Sequence, residues 1–283
     1  MYHFSIGVLL DSFRTDMETA LKKAASLGIS GVQIYATNGK MAPENLNPSQ
    51  RREVLDMIRS NGLVVSALCG DLGQGFGNAE KNPALIEKSK RILDLAKDLK
   101  TDVVTTHIGV VPEDSSHPRY QIMQEACFSL AQYADSVQAH FAIETGPETS
   151  LTLKGFLDGL HSTGVAVNLD PANLVMVTGD DPAKAVYNLK DYIVHTHAKD
   201  GKKLLDRSPE IIYGIETPKN DLTSQGEAFI ELPLGEGSVN WENYLKALDD
   251  IGYHGFLTIE REVGENPEAD IQKAVHFLNS RIR

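Results

Sequence analysis

Short apolar segments alternate with longer amphipathic segments along most of the chain. The apolar segments have the length of strands and are rich in β-branched residues, whereas the amphipathic ones repeat their apolar residues at spacings of three and four, which is typical of helices. Between Met17 and Leu27 the apolar residues follow this helical spacing, and Gly28 ends the segment. The pattern predicts eight strand–helix units in succession.

The predicted elements are regularly spaced up to residue 200. The predicted strands are 4–10, 31–35, 63–68, 102–108, 140–144, 165–169, 192–197 and 255–260. The predicted helices are 17–27, 48–58, 83–99, 120–137, 151–160, 182–189, 241–248 and 267–278. A polar excursion at about 201–239 interrupts the rhythm, and we expect it to cover the site or to form a subunit contact.

Apolar strands that alternate with amphipathic helices call for a parallel sheet covered by helices. Eight such units in 283 residues predict an α/β fold, a single (β/α)8 TIM barrel domain over residues 1–283. The competing fold, a doubly wound open sheet, lacks the expected GxGxxG motif after the first strand. The glycine-rich segment 70–77 has no phosphate-binding spacing, so we interpret it as a flexible loop between strand and helix.

Composition narrows the possible partners. A net charge of −12 disfavours nucleic acid and anionic membrane surfaces as partners. Cys69 and Cys127 do not make a disulfide framework, which favours a reducing compartment. The first residues lack the basic segment of a signal peptide, and no apolar run reaches the roughly 20 residues that a membrane-spanning helix needs. We therefore expect a cytoplasmic protein.

Ionisable residues end several predicted strands. Active sites of (β/α)8 barrels lie at the carboxyl ends of the strands. A buried carboxylate is costly unless it is paired or binds a cation, and two Glu, one Asp and one His around a divalent ion would meet that requirement. For Asp170 a helix-capping role is the alternative, and Glu262 shares a strand face with Glu260. The strand-end residues are His107, Glu144, Asp170, His195, His197 and Glu260.

Five segments together resemble the xylose-isomerase-like TIM-barrel superfamily and, within it, the sugar-phosphate isomerase/epimerase proteins. The resemblance runs in order over about residues 3–280. The segments are Ala142–Glu148 (AIETGPE), Val167–Asn173 (VNLDPAN), His195–Asp200 (HTHAKD), Pro233–Val239 (PLGEGSV) and Leu257–Glu260 (LTIE).

This resemblance implies one divalent metal ion held by Glu144, Asp170, His197 and Glu260. Mixed nitrogen and oxygen ligation suits Mn²⁺, Zn²⁺, Co²⁺ or Mg²⁺. In the ketose 3-epimerases of the family the two glutamates also act as acid and base, so Glu144 and Glu260 are the expected catalytic residues. His195, one pleat deeper than His197, is expected to support the site or to pack against it.

The residues expected to bind substrate are His107, Glu148, Asn173 and Lys199. Asn173 stands where related enzymes commonly have a histidine, and asparagine is a poor ligand for a second transition metal, which favours one ion. Alternatives remain for the others. For His107 the alternative, equally weighted, is a strand-end histidine whose hydrogen bonds are satisfied. For Glu148 it is a helix cap, again equally weighted. For Lys199 the alternative is a pair with Asp200 at the rim of the site.

The expected function is a divalent-metal-dependent isomerase or epimerase that abstracts the proton next to the carbonyl of a sugar or sugar phosphate through a metal-stabilised enediolate. The main alternative is an inosose-type dehydratase, a lyase with the same first step. An endonuclease IV-like phosphodiesterase and a sugar-binding barrel without catalysis are weaker alternatives. Apolar residues in the excursion, such as Ile211 and Phe229, suggest a homo-oligomer.

Overall fold

Eight parallel strands form a closed barrel in the computed structural model of the protein, which describes residues 2–217 and 226–282. The first strand pairs with the last to close the barrel, and each remaining strand pairs with its neighbours in chain order. The barrel strands are β1 (Ser5–Leu9), β2 (Gly31–Tyr35), β3 (Val64–Cys69), β4 (Val103–Thr106), β5 (His140–Glu144), β6 (Val165–Leu169), β7 (Ile193–Ala198) and β10 (Phe256–Ile259). The predicted fold class is confirmed.

Helices follow the strands and cover the barrel with their apolar faces. The helix after β2 begins with a capping box in which Asn47 and Gln50 satisfy each other's backbone N–H groups. The helices are Met17–Ser26, Pro48–Ser60, Asn82–Asp98, Pro118–Val137, Ser150–Asp158, Pro171–Asn173, Pro182–Asn188, Pro209–Ile212, Trp241–Asp250 and Pro267–Ile282. Within the described residues, no helix has both the length and the apolar character that crossing a membrane requires.

The excursion contains a structure that the periodicity did not predict. Strands β8 (Asp200–Lys203) and β9 (Phe229–Leu232) pair as an antiparallel hairpin outside the barrel. The side chain of Asp200 ties the base of this hairpin together, because its two oxygens accept hydrogen bonds from four groups. The donors are the backbone N–H groups of Gly201, Gly235 and Val239 and the indole of Trp241.

Alternation along the barrel strands decides which side chains reach the site. Successive residues of a strand point to opposite faces, so Ala142 and Glu144 share one face, as do Ala166 and Asn168. The small side chains of Ala142 and Ala166 pack in one buried cluster with Ala67 and Val103. The polar residues on the same faces lie one pleat closer to the carboxyl ends, where the barrel opens.

Candidate metal and active site

Four buried side chains from four strand ends meet at the carboxyl end of the barrel. Each offers one potential ligand atom, and these atoms all lie within 4.8 Å of one another. Nδ1 of the histidine lies 3.2–3.4 Å from one oxygen of each carboxylate. The structure thus brings together the residues expected to bind metal, which are Glu144, Asp170, His197 and Glu260.

The hydrogen bonds of His197 leave Nδ1 directed at these carboxylates. Nε2 lies 2.9 Å from Oε1 of Gln33, whose amide nitrogen donates to Oγ1 of Thr105 at 2.8 Å. The amide nitrogen of Asn168 lies farther from Nε2, at 3.2 Å, so the shorter contact with the Gln33 oxygen favours the tautomer that has its proton on Nε2. Burial lowers the pKa of His197, but Glu260 and Glu144 outweigh it and raise that pKa well above its usual value. The site therefore needs a positive charge at Nδ1, either a proton or a metal ion.

A chain of hydrogen bonds fixes the second oxygen of Glu144. Oγ1 of Thr258 lies 3.0 Å from Nε2 of His195, and Nδ1 of His195 lies 2.9 Å from Oδ1 of Asn168. The amide nitrogen of Asn168 then donates to Oε2 of Glu144 at 3.1 Å. Burial and the nearby His197 lower the pKa of His195 well below its usual value, so His195 is neutral. His195 acts on Glu144 through Asn168.

Asp170 has two roles, one for each oxygen. Oδ1 accepts a hydrogen bond from the backbone N–H of Asn173 at 2.9 Å, whereas Oδ2 faces His197. The helix-capping interpretation is therefore correct for Oδ1, while Oδ2 belongs to the cluster. Asn173 also donates its amide N–H to Oε1 of Glu144 at 3.1 Å. This packing requires Gly146, whose φ is +140° and where a Cβ would lie 2.4 Å from that of Asn173.

Lys199 is buried, and the alternative interpretation, a pair with Asp200 at the rim, is wrong. Its ammonium lies 3.1 Å from Oε2 of Glu260 and also bonds Glu262, with Glu231 at 3.8 Å. Burial lowers the pKa of Lys199, but Glu260 and its neighbours raise it well above its usual value. That alternative fails because the hairpin folds back over this strand end, and the Asp200 side chain holds the base of the hairpin.

His107 lies beside the cluster, partly exposed to the cavity. Its Nδ1 is 3.2 Å from Oδ2 of Asp71, and its Nε2 is 3.6 Å from Oε1 of Glu144. Desolvation lowers the pKa of His107, but these two carboxylates raise it to about 9. His107 can therefore donate a hydrogen bond towards a bound ligand or towards Glu144.

Glu148 is buried next to the site and is absent from the described residues that line the cavity. Its Oε2 accepts a hydrogen bond from the backbone N–H of Val111, and its Oε1 has no partner among the described residues. Burial raises its pKa to about 8. The helix-cap alternative is wrong, because the side chain of Thr149 caps the helix Ser150–Asp158.

A cavity of about 550 Å³ opens above the cluster. This volume falls within the usual range for small-molecule sites. The excursion supplies part of its wall through Ile212, Tyr213, Ile215, Phe229 and Glu231.

Sequence reasoning missed Gln33, Asn168 and Asp71. Gln33 and Asn168 are single polar residues inside apolar strands, and that interruption was the available signal, because a buried polar group requires a partner. Asp71 follows β3 in a glycine-rich loop, where periodicity gives no information about position.

Comparison with known proteins places the chain in a family. The family model described as "Xylose isomerase-like TIM barrel" matches residues 21–281. An uncharacterized protein of Methanocaldococcus jannaschii, MJ1311, is 24% identical over an alignment of 212 residues that covers 71% of this chain and 64% of that protein. The putative L-ribulose-5-phosphate 3-epimerase SgbU of Escherichia coli K12 is 22% identical over 298 residues, covering 100% of this chain and 98% of that protein.

Solved structures share the fold at low identity. A xylose isomerase domain protein from Planctomyces limnophilus superimposes with a TM-score of 0.78 at 24% identity, covering 99% of this chain and 96% of that one. The probable 3-DHS dehydratase AsbF of Bacillus anthracis gives 0.76 at 20% identity, over 98% and 100%. D-psicose 3-epimerase of Clostridium cellulolyticum H10 gives 0.73 at 15% identity, over 99% and 100%. With a family match over nearly all of its length, the chain belongs to the xylose isomerase-like TIM barrel family.

Proposed function

We propose that the protein is a divalent-metal-dependent isomerase or epimerase of a sugar or sugar phosphate, acting on the carbon next to a carbonyl. The observation that carries the proposal is the buried group Glu144, Asp170, His197 and Glu260 at the mouth of the barrel. The reaction class is supported by relatives that are named as L-ribulose-5-phosphate 3-epimerases.

The donor set suits one divalent ion. Three carboxylates converge on an imidazole whose Nε2–H is held by Gln33, which leaves Nδ1 free to bind a metal. One imidazole nitrogen and three carboxylate oxygens suit Mn²⁺, Co²⁺, Zn²⁺ or Mg²⁺. When bound, such an ion would polarise the carbonyl and hydroxyl oxygens of a sugar.

Glu144 and Glu260 are the proposed acid and base. They belong to β5 and to the end of β10, which β6 and β7 separate in the barrel, so they reach the centre from different sides. Burial raises the pKa of Glu260, but Lys199 and His197 together hold it below its usual value. Glu260 is therefore ionised at neutral pH, as a proton acceptor must be. Two amides, from Asn168 and Asn173, orient Glu144.

In this proposal one glutamate removes the proton from the carbon next to the carbonyl. The other returns a proton at the opposite face, which inverts the carbon in an epimerase. Asn173 and His107 both line the cavity beside Glu144 and would bind substrate hydroxyls. Lys199, which contacts Glu260, would position that carboxylate.

A lyase is the second candidate. The protein shares its fold with a probable 3-DHS dehydratase. Dehydration next to a carbonyl also begins with the same proton abstraction, so the same residues would serve a lyase. The two reactions differ in their products: a lyase releases water and forms a conjugated carbonyl compound, whereas an epimerase returns an isomer of equal mass.

The test is solvent-deuterium exchange with metal-loaded protein across ketoses, ketose phosphates and inososes, with products identified by mass and NMR. We expect Glu144→Gln and Glu260→Gln each to lower the exchange rate by about 100-fold or more. Glu262→Gln, at the neighbouring glutamate, is the control, with a loss below about tenfold. Metal content is measured on every variant, and exchange that survives both substitutions with metal bound would refute the acid–base assignment.

A further inference from the structure

The cavity above the proposed metal site is strongly acidic. It opens directly onto the four-residue cluster and extends to the hairpin and to the glycine-rich loop after β3. The acidic side chains that line it are Asp71, Glu144, Glu231, Glu260 and Glu262. Asp170 adds a further carboxylate within the cluster itself.

Apart from histidines, two cationic side chains, Lys199 and Arg119, line the cavity within residues 2–217 and 226–282. The ammonium of Lys199 is held by Glu260 and Glu262, and Arg261 beyond it is bound to Glu231. Lys199 and Arg261 are therefore already paired with carboxylates of the protein. When a divalent ion and a protonated His107 are added to Lys199, Arg119 and Arg261, the six positive charges only equal the six carboxylates named above, so the cavity has no positive charge in excess for an anion.

Arg119 is the remaining place where an anion could bind. Nη2 of Arg119 lies 3.5 Å from Oε1 of Glu210, and its buried Nε has no hydrogen-bond partner in the described structure. Phosphate sites in proteins gather several donors, commonly arginine together with backbone N–H groups. Arg119 packs beside Gly77 of the glycine-rich loop, but its guanidinium faces Glu210, which makes it a weak counterpart for a group with nearly two negative charges.

The rest of the wall is suited to an uncharged ligand. Tyr35 and Asn173 offer hydroxyl and amide groups, and Met176, Tyr213 and Phe229 offer apolar surface to C–H groups. A few polar groups among apolar ones is the usual lining of a small-molecule site.

We propose that the substrate of this site is an uncharged polyhydroxy ketone and not its phosphate ester. The proposal rests on the proposed isomerase or epimerase function and narrows its substrate class. It would separate this protein from those relatives whose names specify L-ribulose 5-phosphate.

The experiment compares matched pairs of ketopentoses and ketohexoses with their terminal phosphates on metal-loaded protein. We expect kcat/KM for deuterium exchange to be at least about tenfold higher for the free sugar of the best pair. Binding, followed as a thermal shift, should show the same order, and inorganic phosphate should give no shift. A preference for the phosphate in either measurement would overturn the proposal.

Two variants test the charge argument directly. Glu210→Gln removes the acid facing Arg119. We expect it to raise kcat/KM for the sugar phosphate about threefold or more, which would narrow the preference for the free sugar. Arg119→Gln removes a positive charge from the same wall, so it should lower kcat/KM for the phosphate selectively by a similar factor. An unchanged ratio of free sugar to phosphate in either variant would contradict the charge argument.

The outcomes also separate this proposal from the function on which it rests. If no sugar of either kind exchanges its proton, the proposed isomerase or epimerase function fails. The thermal-shift comparison still decides whether the cavity accepts charged or uncharged ligands.

Discussion

Gln33→Leu is the sharpest test of how the cluster is held. Leucine has a similar size but cannot accept the Nε2–H of His197, a bond of 2.9 Å between two side chains that are each 1% exposed. Because both groups are buried, water cannot easily replace the lost acceptor. Nε2 would then keep only the amide nitrogen of Asn168, 3.2 Å away, which is a donor and cannot accept the Nε2 proton, so the imidazole would be free to turn Nδ1 away from the carboxylates.

The expected magnitude follows from this geometry. Removing the hydrogen-bond partner of a metal-binding histidine typically costs 10–100-fold in metal affinity, about 1.4–2.7 kcal/mol. Full burial places Gln33→Leu in the upper half of that range. The amide that donates to Thr105 is lost as well, so we expect unfolding to require about 1–3 kcal/mol less free energy.

Mn²⁺ affinity is measured by competition with a chelator at neutral pH, on protein whose fold is checked by its metal-free melting temperature. Gln33→Glu is the matched control, because a carboxylate still accepts from Nε2, and its affinity should stay within about tenfold of the original protein. A folded Gln33→Leu variant that binds Mn²⁺ within about twofold of the original protein would refute this account of His197.

Three further predictions concern charge. Metal affinity should fall about tenfold per pH unit on acidification, because the ion displaces a proton from His197, whose pKa is raised; titrations at several pH values measure this, and a flat profile would contradict it. Asp200→Ala should cost about 3–5 kcal/mol in urea unfolding, since its buried carboxylate accepts four hydrogen bonds, whereas the exposed Asp206→Ala should cost below about 0.5 kcal/mol. Glu148, with its pKa raised to about 8, stays protonated in the folded protein while the unfolded chain ionises near 4.5, so its contribution to stability is lost as pH rises from about 5 to 8. The free energy of unfolding of Glu148→Gln should therefore rise by about 2–4 kcal/mol relative to that of the original protein as pH increases over that range. Urea unfolding at several pH values measures this, and a difference that stays constant with pH would argue against a protonated Glu148.

The sequence was sufficient to predict the barrel, because the barrel follows from periodicity, whereas the choice of four residues among the strand-end candidates was implied by the family resemblance. Eight apolar runs separated by amphipathic segments leave few alternatives to a closed parallel barrel. Once the strands are parallel, their carboxyl ends share one rim, which places Glu144, His197 and Glu260 at the same end of the barrel.

The contacts around the cluster could not be predicted, because they depend on how strands face one another across the barrel. Gln33 lies 164 residues from His197 in the chain, and nothing local to either residue indicates their hydrogen bond. Lys199 illustrates a different limit. A strand end followed by polar residues suggests an exposed rim, but the hairpin that buries Lys199 begins at the next residue and lacks the apolar alternation of a typical strand.

The distribution of protein cations supports the proposed metal ion at the inner end of this cavity. Arg261 binds Glu231 and Lys199 binds Glu262, so the outer carboxylates are balanced by side chains of the chain itself. Glu144 and Asp170 contact no lysine or arginine among the residues that the structure describes.

The cationic partners available to these inner carboxylates are therefore histidines. His197 serves both Glu144 and Asp170. A proton on its Nδ1 supplies one positive charge between them, whereas a divalent ion supplies two and lets His197 be neutral. The unbalanced negative charge is thus concentrated at the strand ends, where a bound cation stabilises the fold and faces the cavity. The charge of that ion is then taken up by the ligands that hold it, which leaves little to attract a second anion and favours a substrate that binds through hydroxyl groups.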